Sequence, residues 1–281
     1  VIDLGHRANI LYYDILGKPL LVYEDHRTTT FVLWHAMHVA HKLEAPPLLL
    51  YFDRHDDAKQ PQSLDVIRQL RQEPGSKEKV HEFVEWGLSV LDDDWLIAAM
   101  ELGLVGDAIN IGADDTPNLP QFETIHTDHL GVEHRIWALP HLWHAFDYQQ
   151  PLSDTAREAE FRGIWDALRW EPGRHPPFAT HEGAPPVVLD FDLDFLAGHF
   201  AERIMAWPSD TIHAAFTRMS TYDRTEGWSA ARFLEAIEPR VAFRTVARES
   251  DHCGGTEESQ SVLAALDAVL WYGELFRPPV G

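Results

Sequence analysis

Short apolar, β-branched or aromatic runs recur along the chain and alternate with longer stretches in which apolar residues return every three or four positions. The runs at residues 20–24, 47–53, 108–113, 122–127, 135–139, 187–192 and 242–248 read as strands. Helical spacing marks residues 28–43, 64–72, 80–104, 155–170 and 257–276. Thr28, Thr29 and Thr30 offer capping hydroxyls directly after the first strand, and Pro61 and Ser63 precede the second helical stretch. Alternation of this kind predicts an α/β fold with a mostly parallel sheet covered on both faces. The proline-rich breaks at 171–177 and 183–186 do not interrupt the alternation, so residues 1–281 read as a single domain. In open α/β sheets chemistry collects where strands end, and those ends are therefore the places to search.

Composition narrows the function classes. With 281 residues, 45% hydrophobic and 11% aromatic, the chain can bury a large core. Lys and Arg total 23 against 45 Asp and Glu, a net charge of -22, which repels nucleic acid and anionic membranes and favours cationic partners. A single cysteine, Cys253, excludes an intramolecular disulfide and a cysteine-based zinc site, and without a histidine assignable to it gives no thiol nucleophile. No apolar run approaches the roughly 18–20 residues of a membrane span, and residues 1–7 lack a basic segment followed by an apolar one. The expectation is a soluble, cytoplasmic protein. Seventeen histidines and ten tryptophans then invite a search for metal sites.

Three strand ends carry the chemistry. Residues 48–57 form an apolar run closing on Asp53-Arg54-His55-Asp56-Asp57, and alternation along a strand would aim Asp53, His55 and Asp57 together while Arg54 and Asp56 face elsewhere. In Asp190-Phe191-Asp192-Leu193-Asp194 three carboxylates alternate with large apolar residues. Like charges that close raise one another's pKa, and burying them unpaired costs several kcal/mol each, so a cation is expected between them. Glu24-Asp25-His26 delivers another imidazole at a third strand end. The histidine-rich stretches His35, His38, His41 and His126, His129, His134, His141, His144 lack carboxylates at matching spacing, and read as surface or core residues.

In this order, the three motifs resemble the metal motifs of the arginase and agmatinase (ureohydrolase) superfamily. The missing Gly-Gly before Asp25, Arg at position 54 and the lost Asp-Pro after the last motif depart from an ordinary free-arginine arginase. The Leu-Asp-Phe-Asp-Leu-Asp-Phe and Tyr-Phe-Asp-Arg-His-Asp-Asp forms are closer to the divergent branch that includes peptide arginases, which turn arginine side chains of ribosomally made precursor peptides into ornithine. The resemblance implies a three-layer α/β/α sandwich holding two Mn2+, a donor set that other divalent transition metals would also accept. It implies His26 on one ion, His55 on the other, and Asp53, Asp57, Asp192 and Asp194 sharing the remaining contacts. Asp190 and Asp192 form the alternative pair in the last motif; matching the family pattern selects Asp192 and Asp194 and leaves Asp190 to orient a ligand.

The planar, cationic guanidinium needs a carboxylate that accepts two parallel N–H bonds. Glu249, directly after the strand at 242–248, stands where the family places such a glutamate, with Asp251 as the alternative; Asp57 would both bind metal and accept a hydrogen bond from the nucleophile. The family's proton-shuttling histidine has no match, His81 being nearest but out of place. The acidic run Asp92-Asp93-Asp94-Trp95 reads as a solvated helix start or a contact for a cationic peptide. The leading expectation is a manganese hydrolase that releases urea from arginine in a peptide. A deacetylase or small-molecule amidinohydrolase on the same scaffold, or a non-catalytic metal-binding protein, are the competing ones.

Overall fold

The computed structural model of the chain describes residues 9–112, 116–119, 122–139, 185–200, 203–217 and 230–277. Its strands are β1 (Leu11–Ile15), β2 (Lys18–Tyr23), β3 (Leu48–Phe52), β4 (Ala108–Ile111), β5 (Glu123–Thr127), β6 (Glu133–Leu139), β7 (Val187–Asp192), β8 (Ala197–Phe200), β9 (Arg203–Ala206) and β10 (Val241–Ala247). The helices are α1 (Thr28–His38), α2 (Leu64–Gln72), α3 (Lys77–Gly87), α4 (Trp95–Glu101), α5 (Ser209–Thr217), α6 (Ala230–Ile237) and α7 (Thr256–Leu270).

Eight strands form one sheet in the order β1-β2-β10-β7-β3-β4-β6-β5. The six inner strands run parallel, and β1 and β5 close the edges as antiparallel hairpin partners of β2 and β6. Side-chain alternation divides the core in two. Leu20, Leu50, Phe52, Leu189 and Phe191 pack with Ile212, Phe216, Phe233 and Leu266 from α5, α6 and α7. Leu21, Tyr23, Leu49, Tyr51 and Val188 pack instead with Phe31, Ile67, Val84 and Trp95 from α1 to α4. The expected α/β sandwich with a mostly parallel sheet is the fold observed. No helix among the described residues is long and apolar enough to cross a membrane.

Several elements differ from the sequence expectation. The helical stretch 80–104 is two helices, because Gly87 ends the first and the acidic run bends the chain between them: Asp92 takes φ +54° and Asp94 Oδ1 accepts the Ser89 N–H at 2.9 Å. Helix α1 stops at His38 rather than residue 43, and no threonine caps it; Thr29 Oγ1 turns inward to Tyr23 and Asp190. Strand β1, with Leu11, Tyr13 and Ile15 on one face, lies outside the expected strands; the turn of Leu16 (φ +54°) and Gly17 (φ +77°), the left-handed pair that a two-residue hairpin requires, pairs it with β2. The ribbon β8–β9 was likewise not marked. The stretch 155–170, the proline-rich break at 171–177, and His141 and His144 lie outside the described residues.

Parallel register brings four strand ends level. Ala247 pairs with Tyr23 on one side and Asp192 on the other, while Phe52 pairs with Phe191. Phe191 stacks on Phe52 with centroids 4.9 Å apart and meets Trp271 edge-on, facing away from the neighbouring aspartates. Replacing Phe191 by Ala is expected to cost roughly 3–5 kcal/mol in equilibrium urea unfolding, as expected for an aromatic core cavity; a loss under 1 kcal/mol would show that the sheet is not built on this contact.

Candidate metal and guanidinium site

The parity that sends Phe191 to one face sends Asp190 and Asp192 to the other, beside α1 and α4, and Asp53 follows the parity of Leu49 and Tyr51. Beyond the strand ends, turns take over from the pleat. Asp53 Oδ1 accepts the backbone N–H of His55 at 2.8 Å, and Asp57 sits at φ +48°. Asp192 Oδ1 accepts the N–H of Asp194 at 3.0 Å and starts the 3-10 turn Leu193–Leu196. Convergence of Asp53 with Asp57 and of Asp192 with Asp194 therefore comes from side chain-capped turns, not from the strand alternation that the sequence suggested. Asp56 does face away as expected, accepting from Asn118 and Leu119 backbone N–H groups at 2.6 and 3.0 Å.

The result is a buried acidic chamber around one imidazole. His26 Nδ1 lies 2.9 Å from Asp57 Oδ2, 3.1 Å from Asp192 Oδ2 and 3.5 Å from Asp53 Oδ2, yet makes no hydrogen bond of acceptable geometry. His26 Nε2 is 2.6 Å from Asp190 Oδ2, whose other oxygen accepts from Thr29 and Thr245. Asp190 thus fixes the ring through Nε2 and leaves Nδ1 facing the carboxylates, the arrangement that orients a metal-binding histidine. Trp95 covers His26 with ring centroids 4.6 Å apart and donates its indole N–H to Asp57 Oδ2 at 2.5 Å. Gly112, at φ +102°, lies against the Asp53 backbone, where a Cβ would stand 3.3 Å from the Asp53 carbonyl.

Among the described residues, two groups of side chains have ligand-capable atoms within 4.8 Å of one another: His26, Asp53 and Asp192, and Asp53, His55 and Asp194. Asp53 belongs to both. Asp57 adjoins the first through His26, and His55 Nδ1 lies 2.9 Å from Asp194 Oδ2 in the second. Buried Asp53 Oδ2 and Asp194 Oδ1 lack hydrogen-bond partners, so orphaned acceptors point into both groups. Oxygen and imidazole donors of this kind suit divalent transition metals. All six expected ligands are brought together, with Asp190 in the orienting position rather than as a donor to either group.

Glu249 follows β10 at φ +41° and accepts the His26 backbone N–H through Oε1 at 2.8 Å. Its carboxyl is also hydrogen-bonded to Asp92, and burial first, then the charges of Asp192 and Asp92, push it up to about 10. Asp251 is exposed and does not share this place. The sequence reading missed two residues here. His252 stands at the rim, its Nδ1 3.6 Å from Glu249 Oε2 and 4.0 Å from Asp194 Oδ2, and only its three-residue spacing from Glu249 signalled it. Trp95 closes the acidic run in the sequence, but nothing there places its indole against His26 and Asp57. His81 instead packs edge-on against Phe31, with centroids 5.4 Å apart. His35 is buried within α1, and His126 and His129 both contact Glu101, at 3.0 and 2.6 Å.

No family model and no curated protein matches the sequence. Among solved structures, a crystal structure of arginase from Helicobacter pylori aligns at 12% identity and a TM-score of 0.40, over 89% of this chain and 72% of that one. A likeness of that size carries no functional weight, and the chemistry below stands on the side chains.

Burial, then neighbouring carboxylates, raises Asp192 to about 7 and holds Asp53 well above the usual carboxylate range. The Asp194 hydrogen bond raises His55 from 6.5 to about 9. In each case the folded state binds its proton more tightly than the unfolded chain, so stability present at low pH is lost as pH rises through these values. The metal-free protein is accordingly expected to lose melting temperature between about pH 4 and pH 9, and saturating Mn2+ to restore it most at the alkaline end. A metal-free melting temperature that climbs over this range, followed by differential scanning fluorimetry, would contradict the assignment.

Proposed function

We propose that the protein is a two-metal hydrolase that converts arginine side chains within a peptide to ornithine and releases urea. The observation that carries this reading is the juxtaposition of two imidazole–carboxylate groups sharing Asp53 with a separate half-buried carboxyl, Glu249, that neither group uses. His26, Asp53, Asp57 and Asp192 would hold one dication and His55, Asp53 and Asp194 the other. Four carboxylates then face four positive charges, which makes an interior cluster of this acidity tolerable. When bound, such a pair of ions supplies Lewis acidity that makes water a nucleophile near neutral pH.

The chain's own groups do the rest. Asp190 keeps the His26 ring in register, and the Trp95 N–H fixes Asp57 so that one oxygen stays directed at His26. Glu249 would offer a guanidinium its planar acceptor pair once the arriving cation displaces the proton it shares with Asp92, and its tether to the His26 backbone would tie substrate position to metal position. Water adds to the guanidinium carbon, the bond to the side-chain nitrogen breaks, and that nitrogen leaves as the ornithine amine while the carbon leaves as urea. An amide substrate would have no use for Glu249, which favours guanidino chemistry over deacetylation. The acidic surface of the chain, net -22, is compatible with a basic peptide.

Mass spectrometry of arginine-containing peptides incubated with Mn2+-loaded protein is expected to show ornithine together with urea; acetate release or cleavage of agmatine alone would overturn the reading. Glu249→Gln is expected to lower kcat/KM by about a hundredfold, the scale of roughly 3 kcal/mol for a lost charge-assisted pair, with metal content unchanged by elemental analysis. Undiminished turnover in that variant would remove Glu249 from the guanidinium role.

A further inference from the structure

The two most exposed large apolar side chains among the described residues are Trp86, 84% exposed, and Val90, 81% exposed, with Leu91 at 66% beside them. All three belong to the end of α3 and the connector that leads to α4. Exposed hydrophobic residues scattered singly need no explanation, but three within six residues do. The connector holds them out rather than letting them collapse. Ser63 Oγ donates to the Gly87 carbonyl at 2.9 Å, Arg27 Nη1 to the Ser89 carbonyl at 3.3 Å, and Lys59 Nζ to Asp93 Oδ2 at 2.9 Å.

The same connector enters the proposed site. Directly after Leu91, Asp92 is 8% exposed, hydrogen-bonded to Glu249 and 3.4 Å from Arg27 Nε. Its Oδ1 is buried without a hydrogen-bond partner. Arg27 also approaches Asp25 Oδ2 at 3.5 Å, so Asp25 and Asp92 share this one guanidinium, and Asp92 links it to the Glu249 carboxyl. Three residues further on, Trp95 reaches Asp57. One short segment thus presents apolar side chains to solvent, a carboxylate to Glu249 and an indole to the metal site. Free arginine has nothing to place on the apolar part, whereas a peptide advances only about 3.3 Å per residue when extended and sets its neighbouring side chains down beside the pocket.

We propose that residues 86–92 are the surface that reads the peptide around its target arginine: Trp86, Val90 and Leu91 take an apolar neighbour, and Asp92 faces the guanidinium next to Glu249. The inference rests on the peptide substrate proposed above and adds the chemistry of its flanking residues. It is tested by stopped-flow fluorescence anisotropy, read before turnover, on Mn2+-loaded full-length chain with labelled peptides in which arginine is flanked by leucine or by serine. Wild type is expected to bind the leucine-flanked peptide at least about tenfold more tightly, in keeping with burial of one aliphatic side chain. The double variant Trp86→Ala/Leu91→Ser, at solvent-exposed positions, is expected to bind both peptides as wild type binds the serine-flanked one, with an unchanged melting temperature. Equal wild-type affinities, a preference that survives the double variant, or a variant that alters the sedimentation coefficient in place of the preference, marking a contact between copies, would each overturn the proposal. Urea release is the separate arm. Preference without urea removes the reaction and keeps the surface, while urea without preference does the reverse.

Discussion

Five fully or nearly fully buried aspartates, Asp53, Asp57, Asp190, Asp192 and Asp194, crowd around two imidazoles, and this concentration of negative charge is the constraint to which the rest of the molecule answers. Only one of them, Asp190, is satisfied by neutral hydroxyl donors in addition to its histidine. Asp53 and Asp194 leave orphaned oxygens, and burial raises the proton affinity of Asp53 and Asp192, a condition that several kcal/mol per ion would make unaffordable without counter-charge. Protons serve that role at low pH, and on the proposed reading dications would do so at neutral pH. Stability, metal occupancy and the state of the site are therefore linked through the same few atoms.

The sheet exists to make that crowding reproducible. Level strand ends at β2, β10, β7 and β3 bring together residues that are far apart in sequence, from His26 to Glu249, and the apolar faces that clamp the sheet lie immediately behind them. Position is then refined by short polar ties: Asp53 onto His55 N–H, Asp192 onto Asp194 N–H, Glu249 onto His26 N–H. Rigid strands set the coarse geometry and these turns set the last few ångströms, which is the division of labour expected of a preorganised site.

Much of this was legible in the chain. Apolar runs ending in acidic and imidazole residues identified β2, β3 and β7 and the residues that follow them, because fully buried parallel strands leave an unbroken apolar signature and any polar residue at their ends stands out. What was not legible depended on backbone turns. Asp194 and Asp57 were placed by strand alternation, yet reach the site through capped and left-handed turns that have no period to read. The break between α3 and α4 hid inside a helical periodicity, and with it the path by which Asp92 and Trp95 reach Glu249 and Asp57. His252 escaped for the same reason, being set by the turn after β10. Strand β1 was missed because it is a short edge strand in which Asp14 and the exposed Tyr12 interrupt Leu11, Tyr13 and Ile15, so it lacks the unbroken apolar run that marks the inner strands.

Anomalous diffraction at the manganese edge, on crystals of the Mn2+-loaded protein, decides the matter. Two peaks are predicted on either side of Asp53, one against His26 Nδ1 and Asp192 and the other against His55 and Asp194. No peak in this chamber, with metal bound at another surface or not at all, would contradict the account.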